Sequence, residues 1–172
     1  MTPTSAVLAR PLLCGYYGEH NIGDDALLQA LLSGLPAGAK PCVTAADQQQ
    51  VQQRFDVFTC DRRRLRSTLR ALADCDGLIL GGGSLLQDST SWRSLLYYAA
   101  LILTARLQGK PVILWAQGLG PLRRRRSRVL VSRLLPLVSA ASWRDRQSAA
   151  LAQRLAGVSR AMDPVAADPV WT

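Results

Sequence analysis

Leu12-Leu13-Cys14-Gly15-Tyr16-Tyr17-Gly18-Glu19-His20-Asn21-Ile22-Gly23-Asp24-Asp25 is the stretch whose reading decides the fold. An apolar run breaks into a turn rich in glycine, asparagine and aspartate, and an amphipathic segment, Ala26 to Leu35, follows. The order is strand, polar loop, helix. Such a loop lies outside the carboxyl end of a strand with a helix amino terminus beside it, where open α/β sheets hold ligands. The pattern recurs: Gly77-Leu78-Ile79-Leu80 runs into Gly81-Gly82-Gly83-Ser84, and Val112-Ile113-Leu114-Trp115-Ala116 runs into Gln117-Gly118-Leu119-Gly120-Pro121. Three strand ends therefore carry loops that expose backbone.

Working outward, apolar strand-like runs alternate with helical patterns along most of the chain. That alternation predicts an α/β fold, a Rossmann-like parallel sheet flanked by crossover helices. Strands are expected near Leu8 to Cys14, Pro41 to Ala45, Asp56 to Thr59, Leu78 to Leu80, Val112 to Ala116, Ala140 to Trp143 and Arg160 to Met162. Asp24 is the expected cap of the first helix, its carboxylate accepting the free N–H groups of the opening turn. Leu65, Leu69 and Leu72 give the third helix an apolar stripe, with Arg62, Arg63, Arg66 and Arg70 on its wetter side.

The chain has 172 residues, 48% of them apolar, enough to bury the core of one domain. The longest apolar run, Leu95 to Leu103, is too short to span a bilayer and reads as a buried helix. Met1 to Arg10 lack the pattern of a secretory signal, so a cytoplasmic location is the default expectation. Cys14, Cys42, Cys60 and Cys75 are spaced 28, 18 and 15 apart, and the chain has one histidine. That spacing disfavours a metal site and suits small buried thiols. The Asp163-Pro164 and Asp168-Pro169 breaks near the end suggest one domain over 1–167, with 168–172 leading toward a carboxyl-terminal domain outside this chain.

The net charge of +9 is uneven. Residues 1–86 hold eight basic and eight acidic side chains; residues 87–172 hold thirteen and four. Such a field favours anionic ligands, from phosphorylated metabolites to an anionic membrane face. Nucleic acid is disfavoured, because Arg123-Arg124-Arg125-Arg126 has no aromatic interleaving. The plain alternative is a solvated basic helix face. No G-x-G-x-x-G in dinucleotide spacing and no G-K-[ST] follows any loop, which disfavours nicotinamide and P-loop nucleotides.

The segments Gly15 to Ala26, Gly81-Gly82-Gly83-Ser84-Leu85-Leu86-Gln87-Asp88, Gly109-Lys110-Pro111-Val112, Ala116-Gln117-Gly118-Leu119-Gly120-Pro121 and Ser142-Trp143-Arg144-Asp145-Arg146-Gln147-Ser148 occur in that order. With them the chain resembles the amino-terminal half of the polysaccharide pyruvyltransferase family, in particular its bacterial cell-surface-anchoring branch. The resemblance implies one half of a B-type glycosyltransferase fold, with the active site in a cleft between two Rossmann-like halves. It also implies a reaction: the enolpyruvyl carbons of phosphoenolpyruvate pass to two hydroxyls of one sugar as a cyclic ketal, and phosphate leaves. Phosphoenolpyruvate is then the donor substrate, no further cofactor is called for, and a saccharide, lipid-linked or not, is the acceptor.

On the residues themselves, Gly81, Gly82, Gly83 and Ser84 form the best phosphate or carboxylate cradle, with the next helix expected to point its amino terminus at it. The alternative is a tight turn without a ligand. Arg144 matches the arginine of the family's S-x-R-D motif and offers a planar fork to a carboxylate or phosphate; the alternative is a surface pair with Asp145 or Asp168. Asn21 matches the family's N-x-G-D/E position and brings both a donor and an acceptor, or is a turn asparagine. Asp24 is the candidate base beside its role as a cap. His20 has the chemistry of an acid, but a lone loop histidine is more often just exposed. Tyr17, with Gly18 beside it, is a candidate for sugar contact, unless Tyr16 and Tyr17 simply pack to opposite faces. Gln117 and Gly118 are expected to line the same edge, and Arg123 to Arg126 with the apolar residues after them to lie against acidic lipid or to pack as an ordinary helix. Two other readings stand beside the enzyme: a non-catalytic truncated domain or anion-binding subunit that needs a partner domain, and half of a B-type glycosyltransferase.

Overall fold

The computed structural model describes residues 8–89 and 91–156. In chain order they form β1 (Pro11–Tyr17), α1 (Ile22–Ser33), β2 (Cys42–Ala45), α2 (Gln48–Phe55), β3 (Phe58–Asp61), α3 (Leu65–Asp74), β4 (Gly77–Gly81), α4 (Trp92–Leu107), β5 (Val112–Gln117), α5 (Arg125–Leu134), a 3-10 turn over Leu135–Leu137, β6 (Ala140–Trp143) and α6 (Arg146–Ala156). The six strands form one parallel sheet in the order β3-β2-β1-β4-β5-β6. This is the Rossmann-like α/β arrangement that the alternation predicts. Strand order reverses between β1 and β4, so their loops leave in opposite directions and open a crevice at the carboxyl edge.

Side-chain alternation divides the core in two. Leu12, Cys14, Leu78, Leu80, Val112 and Leu114 pack under the helices from α3 onward. Leu13, Tyr17, Val43, Ala45 and Ile79 pack under α1 and α2. Cys14, Cys60 and Cys75 are buried free thiols and Cys42 is half-buried. Burial pushes the Cys14 thiol up to about 12, so at neutral pH it is an inert core group.

Several boundaries differ from the sequence pattern for identifiable reasons. β1 starts and ends three residues later than expected, keeping Gly15 and Tyr16 in the strand. A Cβ at Gly15 would overlap the Tyr17 ring, so this glycine makes room for an aromatic ring inside a strand. β3 starts at Phe58 because Asp56 closes α2 in the left-handed conformation, with φ at 50°. The cap of α1 is Asn21, whose side chain accepts from the Gly23 amide at 3.0 Å; Asp24 lies inside the first turn. In α3, Leu72 and Leu69 pack inward but Leu65 is exposed, and Arg62 precedes the helix. Thr68 takes the inner position, its hydroxyl 2.9 Å from that of Tyr97. The α4 helix is buried on one side only: Leu96, Leu103 and Leu107 face solvent. The expected strand at Arg160 to Met162 and the Asp168 to Thr172 segment lie outside the described residues.

Candidate anion site at the carboxyl edge

The glycine loop after β4 is held from both sides of the sheet. Gly82 and Gly83 have φ of +68° and +69°, which side chains bearing a Cβ rarely adopt. From the β1 side, the buried Tyr17 hydroxyl donates to the Gly81 carbonyl at 2.8 Å, and Leu27 of α1 packs against Gly82. From the β5 side, the fully buried Gln117 amide donates to the Leu80 carbonyl at 3.1 Å and to the Gly82 carbonyl at 2.9 Å. The Gly118 amide donates to the Gly83 carbonyl at 2.8 Å. Among the described residues no hydrogen bond takes up the Gly83 or Ser84 amide, and a Cβ on Gly83 would meet open space. Tyr17 is thus a support behind the loop whose ring is unavailable for stacking on a sugar, and Gln117 is a brace.

Arg144 comes to this loop from β6. Its backbone amide donates to the Gln117 carbonyl at 3.0 Å, and its Nη2 donates to the Ser84 hydroxyl at 3.3 Å. Gly118 lies between them: a Cβ there would overlap Ser84 Oγ and come within 2.8 Å of Arg144 Nη2. The side chain remains 37% exposed, and Asp145 reaches its Nε only at 4.0 Å. Asp145 is committed elsewhere. It accepts from the Ser148 amide at 2.7 Å and from the Ser148 hydroxyl at 3.0 Å, opening α6. The Ser148 amide, against the cost of burial, holds the Asp145 carboxyl below the usual range.

The α4 amino terminus does not follow the glycines as expected. After Ser84 the chain runs beside the loop after β5, pairing Leu86 with Leu119, and α4 begins only at Trp92. Asp88 locks this arrangement, accepting the Arg123 and Arg124 amides at 2.8 Å each. Burial alone would raise its carboxyl; the Ser127 hydroxyl dipole and the two amides outweigh that and hold it at about 2. The clamp also serves α5, which starts in a run of arginines with no side-chain cap of its own and gains a carboxylate near its positive end.

On the other flank of the crevice, Asn21 is committed to capping α1 and remains exposed. Asp24 is half-buried; burial raises its carboxyl, with Arg62 opposing and Asp25 reinforcing the shift. Gly18, at φ +71°, fits against the Asp47 backbone and shapes the turn. His20 is exposed, 3.8 Å from Asp47. Arg62 belongs to none of the motifs in the sequence. This side chain is 12% exposed, stacks 4.0 Å from the Tyr16 ring centroid and donates to Glu19 at 2.8 Å, bringing a cation to the same edge. Its signal was position: Arg62 directly follows β3, where the chain is still at the carboxyl edge. Among the described residues, the structure joins Gly82, Gly83, Ser84, Gln117, Gly118 and Arg144 by direct contact. No hydrogen bond connects Asn21 or Asp24 to that group.

An open parallel sheet with a braced glycine loop and a half-exposed arginine over it defines a Rossmann-like α/β domain. A family model described as Polysaccharide pyruvyl transferase matches residues 21–172, and the chain belongs to that family. No curated protein and no solved structure matches the chain.

Proposed function

We propose that this chain is the donor-side half of a polysaccharide pyruvyltransferase that uses phosphoenolpyruvate. The carrying observation is the meeting of Arg144 and Ser84 over Gly118, beside the Gly83 and Ser84 amides, which donate to no partner among the described residues. A small polyanion needs a planar cation for its carboxylate and backbone donors for its phosphate, and this edge offers both. In the reaction, a proton adds to the donor's methylene carbon, two sugar hydroxyls bond to its central carbon, the hydroxyl protons leave to a base, and the carbon–oxygen bond to phosphate breaks. Asp24, with its raised carboxyl, is the candidate base on this half, and Asn21 the candidate positioning group beside it. A carboxyl-terminal domain or partner subunit would supply the other cleft wall and the saccharide site. A cytoplasmic setting fits a metabolic donor of this kind.

Calorimetric titration of phosphoenolpyruvate into the purified chain tests the reading, with Arg144→Ala as control and inorganic phosphate as competitor. Saturable binding, displaced by phosphate and weakened at least about tenfold in the variant, is expected. A well-folded chain that binds neither anion overturns the donor assignment and favours a non-catalytic domain.

A further inference from the structure

The outer surface of α4 is unusual for a helix packed on a sheet. Its inner face buries Leu95, Tyr98, Ala99, Leu101, Ile102 and Ala105, which is all that the fold requires. Yet Leu96, Leu103 and Leu107 point outward, 43%, 44% and 87% exposed, with the half-buried Ala100 between them. Positions 96, 100, 103 and 107 follow the helical repeat and make one continuous line along the solvent side. Scattered exposed leucines are ordinary; a line of them along one helix marks a contact surface.

The segment that carries α4 and α5 has charge of one sign. Residues 89–144 contain ten basic side chains and no aspartate or glutamate. Arg93 and Arg106 are exposed on α4 itself. The neighbouring α5 adds exposed Arg125, Arg126 and Arg133 around Val129, itself 43% exposed. Arg126 stacks 4.5 Å from the Trp92 ring centroid, fixing the start of α5 against the start of α4. Both helices return from the carboxyl edge of a parallel sheet, so they lie side by side in one direction and present one face.

We propose that the α4–α5 face docks on an anionic lipid bilayer. Arginines bracketing an exposed leucine line suit a surface that offers negative headgroups over hydrocarbon, whereas a soluble polyanion would leave the leucines in water. The α4 helix lies on such a surface without crossing it: no described helix is long and apolar enough to span a membrane. The inference is independent of what the glycine loop binds.

Vesicle co-sedimentation tests it, comparing phosphatidylcholine vesicles with vesicles containing about 30 mol% phosphatidylglycerol. Binding to the anionic vesicles is expected to be at least about tenfold tighter and to weaken in high salt. Leu103→Gln/Leu107→Gln should lower it about tenfold with all charges kept, and Arg125→Gln/Arg133→Gln by a similar factor with all leucines kept. All four side chains are exposed, so circular dichroism melts should match the parent chain. Equal or absent binding to the two vesicle types overturns the proposal. So does concentration-dependent self-association that Leu103→Gln/Leu107→Gln abolishes, which would assign the leucine line to a second copy of the chain.

Discussion

Arg144 and Ser84, 60 residues apart in the chain, meet through a 3.3 Å hydrogen bond at the carboxyl edge of the sheet. The contact depends on what lies between them: the Gly118 backbone occupies the space that a side chain would fill, so the ends of three neighbouring strands close on one point. Ser84 belongs to the loop after β4, Gly118 follows β5 and Arg144 follows β6. The register that pairs Gln117 with Trp143 brings the ends of β5 and β6 level.

Gly118→Ala therefore separates effects on the site from effects on the fold. The added methyl would overlap Ser84 Oγ and press on Arg144 Nη2, both side-chain atoms of part-exposed residues. The chain should remain folded, losing about 1–2 kcal/mol as an overpacked site does, while phosphoenolpyruvate binding drops by more than about tenfold. Urea unfolding and calorimetry on the same preparation check this. Unchanged binding would remove the Arg144–Ser84 pair from the donor site.

Gln117→Leu should behave in the opposite way. The Gln117 amide is the buried brace holding the Leu80 and Gly82 carbonyls, and leucine leaves both short of a partner. A loss of about 2–4 kcal/mol in urea unfolding is expected, with a lower melting temperature whether or not ligand is present. A variant as stable as the parent would show that the glycine loop keeps its shape without this brace.

Asp88 makes stability depend on acidity in a definite window. Its folded-state carboxyl titrates at about 2, below the ordinary carboxylate range near 3.8. The contribution is fully present above the unfolded-state value and fades as the pH falls through the folded one. It amounts to about 2 kcal/mol at neutral pH. Urea titrations at successive pH values should show the parent losing stability from about pH 4 toward pH 2, and Asp88→Ala should flatten that part of the curve. The same slope in both proteins would mean that the Arg123 and Arg124 amides do not depend on this carboxylate.

The sheet was legible because its strands carry continuous apolar runs and its loops carry glycine, two signals that local sequence holds. The cap of α1 is Asn21 and not Asp24, and the strand before it runs on through Gly15 and Tyr16. A glycine that opens a turn and a glycine that admits the Tyr17 ring look alike until the ring is placed. The grouping of Gly82, Gly118 and Arg144 followed from strand ends sharing one edge. The local pattern puts Arg62 on a wet helix side; its partners, Tyr16 and Glu19, come from β1 and the loop after it, two strands away in the sheet. Tyr17 and Gln117 sit at strand ends where a ligand contact is expected, but their burial makes them supports of the glycine loop.

Asp24→Asn tests the acid–base half of the proposed chemistry. Burial lifts the Asp24 carboxyl above its ordinary range. For a carboxyl with a raised folded-state value, the native protein holds its proton longer than the unfolded chain, so stability falls as pH rises through the unfolded value to the folded one. Asparagine removes that penalty. The variant should gain urea stability relative to the parent at pH 7 and gain less at pH 4. With the proposed base removed, pyruvyl transfer by the enzyme with both cleft walls present should fall about a hundredfold or more, while phosphoenolpyruvate binding is retained. A variant that loses both stability and donor binding would make Asp24 a structural residue of the first turn of α1. Full transfer activity in a stabilised variant would send the search for the base to the opposite wall of the cleft.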